Sequence, residues 1–359
     1  MMKGCLMSSR NLAKTVCLAA TIWMLAGTTA SAYTYPDKGA WIRNASDQII
    51  NNFPQVDAIM WFNEFKERDW RINSDPASLQ AFQDSWVGLQ TGAFLAGFPY
   101  PSPMDTNLIT DFETMANRHQ ARIGWYESLD KLYPTAEINA VQARGSIPYV
   151  VFEPFDASMG DTARSGESRL DDILAGAYDD RLTSWAQAAA ANGLPIEMTF
   201  GHEMNGDWFT WGYLNGNNGN TAQLYIDTFR YVVDLFDQEG ATNVSWVWTI
   251  NASWQDDFSM AFPGVDYVDR MGMNGFNWGG DPNDPTLLDY EKWREFEDIF
   301  GAWDPNNPNG VNNYEMLVQL GPDIPIIIGE FASATPEPAT LLFLTLGSVG
   351  LIRSRRRRR

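Results

Sequence analysis

The chain is poor in the residues on which much protein chemistry depends. It has 359 residues and two cysteines, Cys5 and Cys17, both within the first 32. If that segment is removed on export, the remaining chain holds neither a disulfide nor a thiol nucleophile. Two histidines, His119 and His202, are too few for a His-rich zinc site, and no metal or cofactor is expected. Positive charge is scarce, with 25 Lys and Arg against 45 Asp and Glu. Setting aside three basic residues in the first 32 and six basic and one acidic beyond 335 leaves 16 basic and 44 acidic, a net charge of −28 over 33–335. Such a surface repels nucleic acid and anionic lipid and admits a neutral or basic partner.

Long apolar runs occur only at the two ends. Lys3, Arg10 and Lys14 precede an apolar stretch from Val16 to Leu25, and Ala30-Ser31-Ala32 follows. That order reads as a signal peptide over 1–32 cut by signal peptidase before Tyr33, with an N-terminal anchor as the alternative. At the other end Pro336-Glu337-Pro338 precedes an uncharged apolar stretch from Ala339 to Ile352, then Arg353 and Arg355 to Arg359. An apolar stretch before an arginine cluster is a stop-transfer pattern, so a membrane association through 336–359 is expected. The three parts in this order resemble the PEP-CTERM sorting tails of Gram-negative bacteria. The resemblance implies an exosortase as processing partner and a destination in the cell envelope or extracellular matrix.

What the sequence has in abundance is aromatic: 15 Trp, 13 Tyr and 20 Phe. These serve either a large core or sugar-stacking platforms. Between the ends, short apolar runs alternate with helical patterns. Gly92–Gly97, Arg122–Tyr126, Ser146–Phe152, Leu194–Phe200, Asn243–Thr249, Val268–Asn274 and Ile324–Gly329 read as strands. Leu182, Trp185, Ala186 and Ala189 form one helical stripe, stopped by Asn192-Gly193. Ile226, Phe229, Val233 and Phe236 form another, with Thr221 as N-cap and Gly240 as terminator. Repeated strand–helix alternation over about 300 residues predicts one α/β domain, a (β/α)8 TIM barrel. Only seven strands follow Gly92, however, and a closed barrel needs an eighth.

Two carboxylates end strands in this pattern. Glu203, in TFGHEMNGDWFTWG (Thr199–Gly212), follows the fourth strand counted from Gly92, and Glu330 follows the seventh. Strand C-terminal ends line the mouth of such a barrel, where two carboxylates can cleave a glycosidic bond as acid/base and nucleophile. HEMNGDWFTW, Gly240–Asn251, Tyr267–Trp278 and PIIIGEF together resemble glycoside hydrolase family 26, the β-mannanase family, over about 92–333. The resemblance implies a retaining endo-glycosidase acting on a β-linked polysaccharide, with β-1,4-mannan leading. It implies Glu203 as acid/base, Glu330 as nucleophile, His202 as an orienting residue, and Asn205, Trp208 and Trp211 as subsite lining. Trp278 also sits near an expected strand top and is a candidate platform. Trp125 and Trp248 read as core. Two positions depart from the family pattern: Thr199 stands where arginine is frequent, and Phe276 where a tyrosine donates to the nucleophile. A catalytically weakened glycan-binding envelope or matrix protein is therefore the alternative reading.

The missing strand lies at the front. Asp37–Phe82 resembles the C-terminal end of that family, with Asp57–Phe62 as a strand and Ile42, Ile49, Ile50 and Phe53 as one helix face. The expectation is a circular permutation, in which 33–90 supplies the family's last helix and strand and 91–335 supplies strands one to seven. The alternative is a remnant of a preceding tandem copy. Glu153, ending another strand, is read either as a sugar-hydroxyl ligand or as an ion-pair partner. His119 is read as a helix-surface residue. The acidic stretches Asp256–Phe258 and Asp281–Pro285 are read as turns rather than calcium loops.

Overall fold

A computed structural model describes residues 37–95, 105–214, 218–252, 257–301 and 312–334. The expected signal and sorting segments lie outside the described residues, and so does any membrane span within them. Among the described residues no helix is long and apolar enough to cross a bilayer.

Eight parallel strands close a barrel in chain order. They are β1 (Val56–Asn63), β2 (Gln90–Leu95), β3 (Arg122–Ser128), β4 (Ile147–Glu153), β5 (Ile196–Phe200), β6 (Val244–Asn251), β7 (Arg270–Asn277) and β8 (Ile326–Ser333). The TIM-barrel expectation is met. Asp57–Phe62 lies within β1, which pairs with β2 on one side and β8 on the other. Ala96 and Gly97, expected to end β2, fall outside the described residues. β7 and β8 run three or four residues past their expected ends, because the ladder between them continues from Asn274–Glu330 to Asn277–Ser333.

The strands read as nearly unbroken apolar runs because both of their faces are covered, one by the barrel interior and the other by helices. The helix Lys38–Asn52 starts at Asp37, whose side chain accepts from the Ala40 amide at 2.5 Å. It buries Trp41, Ile42, Ala45 and Ile49, spaced for one helical face. Ile50, expected on that face, is instead half exposed, because one residue past Ile49 turns it about 100° toward solvent. Trp41 meets Phe331 of β8 at 6.1 Å, so this helix covers the outside of the barrel beside β8 and leads into β1. The other two stripes are buried as expected, and Thr221 caps its helix by accepting from the Leu224 amide.

Inside the barrel, side chains from alternate strands form layers. The lowest layer is charged. Asp57 (β1), Arg122 (β3), Glu197 (β5) and Arg270 (β7) stand near their strand starts. Arg122 binds both Glu197 oxygens, at 2.7 and 2.8 Å, and Arg270 reaches Glu197 and Asp57. Above it, Thr199 donates to Thr249 at 3.2 Å, and the Tyr149 hydroxyl lies 3.3 Å from Thr249. Thr199 thus belongs to a hydroxyl chain in the barrel interior. Gly124 keeps this interior from overfilling: a Cβ there would stand 2.7 Å from the Phe94 ring and 2.8 Å from Met60.

Candidate active site

The upper end of the barrel collects the chemistry. After β5 the chain reverses through Gly201 (φ 55°) and Glu203 (φ 52°), both left-handed. For a glutamate this conformation is uncommon and costs energy, so the surrounding contacts must hold it. The Glu203 amide donates to the Thr249 carbonyl at 2.8 Å, which ties the turn to β6. The side chain is thereby aimed inward, and both Glu203 and Glu330 are buried, 7% and 5% exposed.

One asparagine joins the two carboxylates. Asn274 Nδ2, on β7, donates to Glu203 Oε1 and to Glu330 Oε1, each at 3.1 Å. Its Oδ1 accepts the Glu330 amide at 2.9 Å. Two equal legs opening at the roughly 120° of an amide NH2 group place the carboxylate oxygens about 5.4 Å apart, within the range for a retaining pair. Gly329 makes this contact feasible, since a Cβ there would stand 2.9 Å from Asn274 Oδ1. Glu330 Oε2 accepts a short bond, 2.5 Å, from the Tyr126 hydroxyl on β3. Glu203 Oε2 accepts from Trp208 Nε1 at 2.9 Å, and Asn251 also bonds its side chain.

Electrostatics follow from burial. Desolvation raises the Glu330 carboxyl to about 8, helped by the nearby Glu203 charge and opposed by the Tyr126 bond. Desolvation also raises Glu203, against the pull of Asn274, Asn251 and Trp208. The pair therefore retains a proton near neutral pH. Burial holds His202 neutral, lowering it to about 3.

The open space above these groups has two adjoining halves. One, about 270 Å³, is lined by both carboxylates with Tyr126, Glu153, His202 and Trp70. The other, about 510 Å³, touches Glu203 but not Glu330 and is walled by Trp208, Asn251 and Tyr290. Phe276, Trp278, Arg164 and Glu67 border both. The acid/base candidate thus stands where the halves meet, and the nucleophile candidate lies in one of them.

The residues expected from the sequence fare differently. Glu203, Glu330, His202, Trp208 and Trp278 gather at this cleft. Asn205 and Trp211 do not line it, and the structure corrects both. Asn205 is fully buried and bonds the Asn251 backbone twice, at 2.8 and 3.0 Å, so it fixes the end of β6. Trp211 is also fully buried, stacked on Phe209 at 4.5 Å and donating to the His202 carbonyl. No face of it is open to a sugar. Trp125 and Trp248 are core residues. His119 is half exposed and contacts Glu113. Asp281 and Asp284 cap turns through the Asn283 and Thr286 amides, and Asp257 accepts from the Ser259 amide, while Asp256 lies outside the described residues. No group of three or more potential metal ligands occurs among the described residues.

Sequence reasoning missed Tyr126, Asn274 and the loop 64–72. The signal for the first two was periodic. Each lies four residues beyond an inward-facing arginine of the charged layer, Arg122 or Arg270, and a strand's period of two returns it to the same face. The loop after β1 contributes Lys66, Glu67 and Trp70 to the cleft. It is anchored by buried Lys38, whose ammonium donates to the Asp69 and Arg71 carbonyls at 3.1 and 2.8 Å.

Residues 161–286 match the glycosyl hydrolase family 26 profile, and residues 334–358 match the PEP-CTERM protein-sorting motif. Endoglucanase H of Acetivibrio thermocellus is 31% identical over 265 residues, covering 72% of this chain and 25% of that protein. A mannan endo-1,4-beta-mannosidase of Bacillus subtilis is 29% identical over 104 residues, covering 27% of each. The alignments thus span about a quarter of the length of these relatives. Among solved structures, a modular endo-β-1,4-mannanase from Cellulomonas fimi aligns with a TM-score of 0.48 and 14% identity, covering 87% of this chain and 65% of that one.

Proposed function

The chain belongs to glycosyl hydrolase family 26, and from that premise we propose that it is a retaining endo-glycosidase of a β-linked polysaccharide, most simply β-1,4-mannan. The observation that carries this is the carboxylate pair held by Asn274 at about 5.4 Å, a separation suited to double displacement rather than to an intervening water. Glu330 attacks the anomeric carbon while Glu203 protonates the leaving oxygen. Glu203, now a base, then activates the water that releases the glycone. The productive state has the proton on Glu203 and the charge on Glu330, where the Tyr126 hydroxyl stabilises it. Tyr126 supplies from β3 the donor that Phe276 cannot. The half containing Glu330 receives the glycone, and the half walled by Trp208 and Tyr290 receives the leaving chain. Among the described residues the cleft extends to both sides of Glu203, which suits attack within a polymer.

A β-glucan is the second substrate reading, favoured because the 265-residue alignment is with an endoglucanase. The sorting motif supports export to a Gram-negative envelope, processing by signal peptidase and an exosortase, and membrane contact through 336–359 before cleavage. A circularly permuted barrel is supported by the helix Lys38–Asn52, which packs beside β8 and enters β1 as a crossover helix between them would.

The test is reducing-sugar release by the full chain from β-mannans, glucans and xylans, with Glu330→Ala as control. Release that disappears in the variant, with retained anomeric configuration, is expected. No release by a folded protein that still binds one of these glycans would replace this reading with a glycan-binding envelope protein.

A further inference from the structure

A third carboxyl faces the cleft and has no assigned task. Glu153 is the last residue of β4 and lines the same half as Glu330 and Tyr126. It is 8% exposed, and its carboxyl makes no hydrogen bond or ion pair with any described residue. The contrast with its neighbours is informative. Glu203 has three side-chain donors, Glu330 has two, and Glu127 accepts from the Trp125 indole at 3.0 Å. The Glu153 oxygens are not sealed from solvent, so water in the cleft is their partner until a ligand displaces it. A carboxyl that faces a cavity sized for a sugar and meets no described donor is placed to bond a ligand there.

We propose that Glu153 is a specificity-determining residue that hydrogen-bonds a hydroxyl of the glycone sugar held in the half of the cleft containing Glu330. This rests on the glycosidase reading and adds to it a contact made by neither carboxylate of the pair. Ionised, the carboxyl accepts from a neutral hexose hydroxyl, and protonated, it can also donate to one, so it suits such a hydroxyl in either state. Its position at the end of β4, on a rigid strand rather than a loop, fixes the geometry of that contact. Burial favours its neutral form most, Lys66 and Arg164 pull toward the charged form, and Glu203 and Glu127 add to the neutral one. With no direct partner among the described residues, the bond to the sugar decides what the group does.

The test is titration of β-1,4-manno- and gluco-hexaoses into the full chain, comparing wild type at position 153 with Glu153→Gln and Glu153→Leu, each with Glu330→Ala so that the hexaoses are not cleaved, and with thermal midpoints measured on each. The Leu variant is expected to bind about tenfold or more weakly, the loss of one well-placed hydrogen bond. The amide keeps a donor and an acceptor, so the Gln variant is expected to stay within about threefold of wild type. A purely structural role would not produce weak binding by a Leu variant with an undiminished midpoint together with rescue by Gln. Leu and wild-type proteins that bind hexaose equally would overturn the assignment and leave the glycosidase reading intact. Should the folded wild type bind neither hexaose, both would fall.

Discussion

Replacing Glu153 by Gln should make the fold less sensitive to rising pH, by an amount that can be worked out. Burial raises this carboxyl from its ordinary 4.5 to about 8, opposed by the Lys66 and Arg164 charges and helped by those of Glu203 and Glu127. Below pH 4.5 it is protonated whether the chain is folded or not, and it contributes no pH dependence. Between those two values the unfolded chain ionises it while the folded chain keeps the proton, so stability falls as pH rises through this window. Each pH unit is worth about 1.4 kcal/mol, so the full window amounts to about 5 kcal/mol. Water in the cleft solvates part of the charge and makes this an upper bound; a difference of about 2–5 kcal/mol is expected. Glutamine has no proton to lose. The assay is denaturant unfolding of both proteins at half-unit steps from pH 4.5 to 9. Glu203 and Glu330 titrate in both proteins, so their contributions largely cancel in the comparison. The wild-type curve should fall away from the variant's between pH 5 and 8 and run parallel above. Curves parallel throughout would mean that Glu153 titrates in the fold as it does in the unfolded chain, and would refute the reasoning.

Tyr126→Phe should lower kcat/KM by about ten- to a hundredfold, the worth of one bond to a charged group, and should move the acid limb of the pH–rate profile upward, because the lost donor favoured ionised Glu330. Gly329→Ala should reduce kcat strongly in a protein that still folds, since its methyl group would stand 2.9 Å from Asn274 Oδ1 and displace the bridge between the carboxylates; an unchanged kcat would count against that bridge. Arg122→Met should lower unfolding stability by about 3–5 kcal/mol, because it strips the bidentate partner from buried Glu197, and an effect below about 1 kcal/mol would show that Arg270 alone satisfies it.

The barrel was legible because its strands are buried on both faces. Such strands leave short apolar runs bounded by polar turns, and all eight were found, including the one at the front of the chain. The two carboxylates were legible for a related reason: a charged residue ending an apolar run is conspicuous. Where the reading failed, it failed on orientation. Trp208 and Trp211 stand three residues apart in one irregular loop, with no period to separate them. The first turns its indole to Glu203, and the second turns inward to the His202 carbonyl. Asn205 carries the side chain expected of a sugar ligand, but the adjacent end of β6 claims both its donor and its acceptor.

The missing tyrosine shows what a linear motif leaves out. Phe276 occupies a position where a hydroxyl was expected, and the sequence alone made that a loss at the nucleophile. In the folded chain Phe276 packs its ring on Phe62 and Trp70, closing the wall between β1 and β7. The hydroxyl comes instead from Tyr126, 204 residues from Glu330 and across the barrel mouth. A closed ring of strands permits this exchange, because every strand end faces the same small volume. Any of several strands can therefore supply a given donor. The requirement that persists is chemical: a buried carboxylate that must carry charge needs a donor within bonding distance. What the sequence could not specify is which strand would provide it, since that depends on register and tilt around the whole ring. Glu153 presents the same requirement in reverse, a carboxyl facing the cleft to which no described residue donates, and that is the physical reason for assigning its partner to the substrate.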